Sequence, residues 1–174
     1  MAEQFPFENA RFFFQGSTCS VDPQGRLVFP KAWKLPTDGE KTEFILSPGL
    51  DRCINVYPLE NFNVLLQKMM TAPQDSITQR NLSIYTNHCQ RITLDKQSRF
   101  AVSDHLRKYA GLTSKAEFVG GVNYGRIFAP EHWDEIKVSD KTRQELSDEE
   151  VDKLSKEDKE MYFVEKAIDF IGTL

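Results

Sequence analysis

The residues best suited to chemistry are two Asp-x-x-x-Arg pairs. Asp22-Pro23-Gln24-Gly25-Arg26 and Asp95-Lys96-Gln97-Ser98-Arg99 follow one pattern, 73 residues apart. In each, an aspartate opens a four-residue turn and an arginine is the first residue after it. Asp at the first turn position accepts turn N–H groups, Pro23 presets φ at the second, and Gly25 suits the fourth. An arginine held there sits near the tip of a ribbon and presents five donors in a fixed fork. That fork fits phosphate oxygens or the edge of a guanine. Spacing alone leaves two readings open. Each pair is an internal ion pair that staples its hairpin, or it aims a guanidinium at a ligand. Lys31 and Lys34 follow Arg26, and Arg91, Lys96, Arg107 and Lys108 surround Arg99, so cations gather near both turns.

The remaining chemistry-bearing residues are scattered. His88-Cys89 has no partner cluster at zinc-ligand spacing and reads as a partly buried, inert pair. His105 reads as a helix-surface residue. His132 precedes Trp133, which reads as the anchor of a helix. No serine or cysteine nucleophile is placed with these histidines, so neither an enzyme nor a cofactor or metal site is expected. Gly120-Gly121-Val122-Asn123-Tyr124-Gly125 lacks the Lys-Ser/Thr of a phosphate-binding loop and reads as a hairpin bend.

The elements that must position the two pairs repeat with them. Cys19 to Pro30 is answered by Ile92 to Ser103, Glu43-Phe44-Ile45-Leu46 by Glu117-Phe118-Val119-Gly120, and Val56-Tyr57-Pro58 by Phe128-Ala129-Pro130. This is a duplication of one supersecondary unit. Leu27-Val28-Phe29 reads as a strand buried on both faces, since it does not alternate. Phe12-Phe13-Phe14 reads as a core strand. Ser103 is a helix N-cap and Gly111 its stop. Leu59, Phe62, Leu65-Leu66 and Met69 form one helical stripe after Pro58. A further helix spans Ser76 to Asn87. Ser147-Asp148-Glu149-Glu150 is a capping box. It opens a stretch ending in the amphipathic Val164, Ala167-Ile168 and Ile171, a helix packed on its own domain or docked on a second subunit.

The whole chain bounds these readings. Its 174 residues allow one domain or two small ones. The start, Met1-Ala2-Glu3-Gln4-Phe5, has no basic or apolar leader region. No stretch approaches the roughly 20 apolar residues of a membrane span. Three cysteines without a CxxC imply no disulfide framework, and a reducing cytoplasm is expected. The net charge of −4 is uneven. Residues 140–174 carry 11 acidic and 6 basic side chains, while residues 1–139 carry 15 and 16, so the body is near neutral and can still meet phosphate.

Read in order, these segments resemble the MraZ family, bacterial transcription regulators of the AbrB-like swapped-hairpin superfamily. The resemblance rests on Asp22 to Pro30, Leu94 to Phe100, Leu50 to Pro58, Leu106 to Leu112 and Phe118-Val119-Gly120, and covers about residues 14–137. It implies an α+β fold: two interleaved AbrB-like β-hairpin/βαβ repeats form a compact β-barrel core with short helices, and a C-terminal helical tail follows. The implied division is an N-terminal extension (1–13), a first repeat (14–70), a linker and helix (71–87), a second repeat (88–139) and an acidic helical tail (140–174).

The resemblance also implies a function. The implied protein is a homo-oligomeric ring that binds short direct repeats in double-stranded promoter DNA upstream of the division and cell-wall gene cluster. It would be cytoplasmic and nucleoid-associated, with no membrane partner and no small-molecule substrate. Arg26 and Arg99 become DNA contacts beside Lys31, Lys96 and Gln24. Asp22 and Asp95 orient the arginines, and Gly25 supports the first turn. Gln24 replaces the lysine usual before the glycine, and Ser98 replaces the second glycine, which predicts an altered second turn. Gln24 and the acidic tail motivate the alternative, a protein-interaction or antitoxin-like module on the same fold that has lost DNA binding.

Overall fold

The computed structural model describes residues 10–139 and 145–174. Most of the expected N-terminal extension and the first residues of the expected tail lie outside them. The first half of the chain forms β1 (Ser17–Ser20), β2 (Arg26–Val28), a short 3-10 turn (Lys31–Trp33), β3 (Glu43–Gly49), β4 (Cys53–Pro58) and α1 (Leu59–Met70). After α2 (Ser76–Thr86) the second half repeats the order: β5 (Gln90–Thr93), β6 (Arg99–Ala101), α3 (Asp104–Ala110), β7 (Lys115–Gly120), β8 (Gly125–Phe128) and α4 (Pro130–Ile136). Two more helices follow, α5 (Asp148–Asp152) and α6 (Lys156–Gly172).

The halves interleave through their strands. The larger sheet runs β1-β7-β8-β4-β3-β5, and β2 pairs with β6 as a separate ribbon. Every pairing is antiparallel. The fold is therefore mixed α and β as expected, but two details are corrected. A βαβ unit needs parallel strands, and none pair so here. Among the described residues the strands also do not close a barrel. The tight turns after β1 and β5 lift β2 and β6 out of the larger sheet, and these two pair with each other. The larger sheet is left with β1 and β5 as its edges.

The core lies between ribbon and sheet. Leu27, Phe29, Phe100 and Val102 meet Phe44, Leu46, Ile54, Val56, Phe118 and Ile127 there. Val28, between Leu27 and Phe29, is 49% exposed, so β2 alternates and the expected two-sided burial fails. Only one face of a two-stranded ribbon has a sheet to lie on. The three phenylalanines split likewise: Phe13 is fully buried in an isolated bridge to Val122, while Phe12 and Phe14 are exposed. They form no strand.

Trp33 organises this core. It is 1% exposed and lies edge-on to Phe13, Phe29 and Phe118 at ring distances of 5.0, 6.0 and 5.5 Å. Its indole N–H donates to the Phe14 and Gln15 carbonyls at 2.9 and 3.0 Å. Gly125 gives it room, since a Cβ there would sit 2.5 Å from the ring. The adjoining chain is fixed by the nearly buried Arg11–Asp38 ion pair at 2.5 Å, with Arg11 also donating to the Trp33 carbonyl.

The helix ends follow the sequence signals. The Ser103 hydroxyl accepts from the Leu106 N–H, Gly111 stops α3 at φ +65°, and Ser147 with Glu150 closes a complete capping box. In α1, Phe62 and Met69 are buried, but Leu66 of the expected stripe is exposed. The α6 helix packs on α2 and β3 of its own chain, where Ala167 and Ile171 join Ile45, Phe62, Met69 and Tyr85 in a second apolar cluster. Arg52 donates to Glu165 across that contact at 3.0 Å. Trp133 of α4 lies on Phe128 at 5.0 Å.

Trp33→Ala removes three aromatic contacts and leaves a large void. It should cost about 3–5 kcal/mol of unfolding free energy, read from the urea midpoint. A loss below about 1 kcal/mol would mean that Trp33 does not hold ribbon to sheet.

Candidate nucleic-acid interface

The two turns fold alike. Gly25 N–H donates to the Asp22 carbonyl and Ser98 N–H to the Asp95 carbonyl, both at 2.9 Å. Each aspartate then uses its two carboxylate oxygens differently. Asp22 Oδ1 accepts the Gln24 and Arg26 amides at 2.9 and 2.8 Å, and Oδ2 accepts Arg26 Nε at 2.6 Å. Asp95 Oδ1 accepts the Gln97 and Arg99 amides at 2.9 and 2.8 Å, and Oδ2 accepts Arg99 Nε at 2.9 Å. Gly25 lies at φ +74° and Ser98 at φ +59°. Ser98 thus takes the glycine conformation, and the expected alteration of the second turn does not occur. An L-residue there costs roughly 1–2 kcal/mol, which the surrounding hydrogen bonds offset.

These bonds set the two carboxyls' titration. The Arg26 amide is the largest influence lowering the Asp22 carboxyl below its usual range. Desolvation opposes it, and the Arg26 guanidinium adds to it. Asp95 is lowered in the same way by the Arg99 amide and guanidinium.

The turns meet at the ribbon. Phe29 N–H donates to the Ser98 carbonyl at 2.8 Å, and Val102 N–H to the Gly25 carbonyl at 3.0 Å. Arg26 stands opposite Ala101, and Val28 opposite Arg99. Leu27 and Phe100 point into the core, so Arg26, Val28, Arg99 and Ala101 share the outer face. The two arginines are diagonal neighbours on it, on the order of 7–8 Å apart along the backbone. Sequence spacing suggested two separate tips; the cross-half pairing brings both onto one patch.

The staple reading of the Asp–Arg pair holds, and each guanidinium keeps an outer edge open. Each Nε is stapled to its aspartate, while the side chains of Arg26 and Arg99 remain 33% and 32% exposed. Arg26 Nη2 reaches only Gln24 Oε1, at 3.4 Å. Among the described residues nothing else engages the Nη edge of either arginine. Gln24, Lys31 and Lys96 are exposed around this patch.

Two contacts were missed in the sequence. Lys34 Nζ donates to Ser98 Oγ at 2.7 Å, and the Arg107 guanidinium lies against Gly25, where a Cβ would meet it at 2.7 Å. Each is a residue of one half laid over the turn of the other. The signal was present, since Lys34 and Arg107 are also 73 residues apart.

The other candidates stay outside this patch. His88 Nδ1 bonds the Ile84 carbonyl at 2.9 Å and its ring lies 5.6 Å from His105. His132 Nε2 lies 2.6 Å from the Asp51 carbonyl. The Cys53 and Cys89 thiols are pushed up to about 12 by burial. Among the described residues no helix is long and apolar enough to cross a membrane.

The class defined by this geometry is a mixed α and β protein whose two interleaved halves present paired arginines on a shared antiparallel ribbon. No family model matches the chain. It is similar to the transcriptional regulator MraZ of Clostridium beijerinckii, with 29% identity over 122 residues, 69% of this chain and 83% of that protein. The resemblance to the MraZ family drawn from the motifs is thus supported across most of the chain.

Because both turn carboxyls titrate low in the folded chain, they stabilise it above the ordinary carboxyl range. That stabilisation is lost as pH falls through their lowered values. The melting temperature should therefore drop on acidification below about pH 4, and Asp22→Asn with Asp95→Asn should flatten that drop. An unchanged acid limb in the double variant would show that the turns carry no such linkage.

Proposed function

We propose that this chain is a sequence-specific DNA-binding transcriptional regulator, working in the cytoplasm at the nucleoid as a homo-oligomeric ring on short direct repeats in promoter DNA of the division and cell-wall cluster. Its two repeats, of the AbrB-like swapped-hairpin kind, would act as one unit. Arg26 and Arg99 contact the DNA, with Gln24, Lys31 and Lys96 at the margins. Asp22 and Asp95 aim the arginines, and Gly25 lets the first turn close.

One observation carries this reading: two guanidinium groups, each held at Nε and open at its Nη edge, lie on the same outward face of a two-stranded ribbon. The major groove of B-DNA is about 12 Å wide and admits such a ribbon. A fork held by a carboxylate loses less rotamer freedom on binding, so its two Nη groups can make a bidentate contact to guanine or phosphate. The similarity to a protein named as a transcriptional regulator supports the same reading.

The alternative, a protein-interaction module that has lost DNA binding, is favoured by one feature: each arginine's charge is already matched by its own aspartate. Fluorescence anisotropy with the gene's own upstream duplex separates the two. DNA binding predicts that Arg26→Ala and Arg99→Ala each weaken affinity by about 1–3 kcal/mol while the melting curve stays cooperative. Folded variants that bind as wild type, or a wild type that binds no duplex at low salt, would favour the interaction module.

A further inference from the structure

The two ends of the arginine patch are not equivalent. At an offset of 73 residues, Lys31 corresponds to Asp104, Lys34 to Arg107 and Pro23 to Lys96. Because each half lays its residues over the other half's turn, these exchanges all act in one direction. Lys34 bonds the Ser98 hydroxyl of the second turn. Lys31 and Lys34 line a cleft of about 430 Å³ together with Gln97 and Ser98. Lys96 is exposed on the same turn. Among the described residues none of these three lysines forms an ion pair. Asp38, which feels the charge of Lys34, is already bound to Arg11, and Glu117 on the cleft's Thr18 side takes the Thr18 hydroxyl.

The first turn has the opposite surroundings. Its overlying cation, Arg107, is paired with Asp104, and Pro23 and Gln24 add no charge. The arginines do not break this imbalance, since each carries its own carboxylate. Three lysines without ion pairs thus surround the second turn, against the exposed Lys115, opposite Ser20, beside the first.

We infer that the second turn is the phosphate-binding end of the interface, where Lys31 and Lys34 of the first half join Lys96 in neutralising the backbone of a DNA duplex, so that each subunit engages its site with a fixed polarity. This rests on the DNA-binding reading above. It assigns the lysines to charge and leaves the compensated arginines to geometry.

The test is the salt dependence of binding to two labelled duplexes, the gene's upstream DNA and a scrambled sequence. Each lost phosphate contact lowers the slope of log K against log salt by about 0.9. The double variant Lys31→Ala/Lys34→Ala should therefore lose about 1.8 in slope and weaken on both duplexes by the same factor. Asp104→Lys, which frees Arg107 and adds a cation at the first turn, should steepen the slope by at least about 0.9. Lys68→Ala, on α1, should leave it unchanged. If the lysine double variant keeps the wild-type slope while Arg26→Ala and Arg99→Ala still weaken binding, the polarity is wrong and the DNA-binding reading survives. A loss confined to the upstream duplex would make the lysines base readers and overturn their assignment to phosphate. A wild type that binds neither duplex overturns both.

Discussion

The turn aspartate is the constraint from which the rest of the interface follows. One carboxylate oxygen gathers two backbone N–H groups and closes the turn; the other takes the arginine Nε. Closing the turn demands a left-handed fourth residue, which glycine supplies freely and serine supplies at a cost. That conformation points the Gly25 and Ser98 carbonyls at the opposite strand, where they accept from Val102 and Phe29. The same group that aims each arginine therefore also helps build the ribbon on which the arginine stands.

The ribbon in turn ties the halves of the chain to each other. Each strand of the first half pairs with one of the second: β1 with β7, β2 with β6, β3 with β5, β4 with β8. Such distant pairing is slow to form, because loops must close before their contacts stabilise anything. It has a geometric return. Two turns 73 residues apart end on one face, with a rigid aromatic core behind them. Trp33 ties the ribbon end at Phe29 to Phe118 of the sheet and Phe13 of the N-terminal segment through three ring contacts, and its indole N–H holds the Phe14 and Gln15 carbonyls. In the proposed interface the charges are arranged separately from the forks, since compensated arginines can be oriented without drawing a diffuse field and the lysines would supply that field.

Local chemistry was the part of this architecture most legible in the sequence. The tight turn of Asp22 to Gly25, the cap at Ser103, the stop at Gly111 and the capping box at Ser147 all depend on residues within a few positions of one another. Partnership across the chain was not legible. The apolar run Leu27-Val28-Phe29 looks the same whether it lies inside a sheet or on a ribbon with one free face, and only the pairing with β6 decides. Phe12 to Phe14 fails for a related reason: one bridge to Val122 suffices to bury Phe13 and leaves its neighbours outside. Ser98 misled in the other direction. The absence of glycine suggested a changed turn, but the carboxylate of Asp95 and its backbone partners hold a serine in the same conformation. The crossing of Lys34 and Arg107 over the opposite turns was encoded in their spacing and became meaningful only once the halves were seen to interleave.

Hydrogen–deuterium exchange of the free protein and of the protein saturated with the gene's upstream duplex tests the central claim most directly. The account predicts that added protection concentrates on the two turns and the ribbon between them, residues 22–34 and 95–107, while α2 and α6 exchange as before. Protection confined to α6, the edge strands or α1, with the turns unaffected, would contradict it.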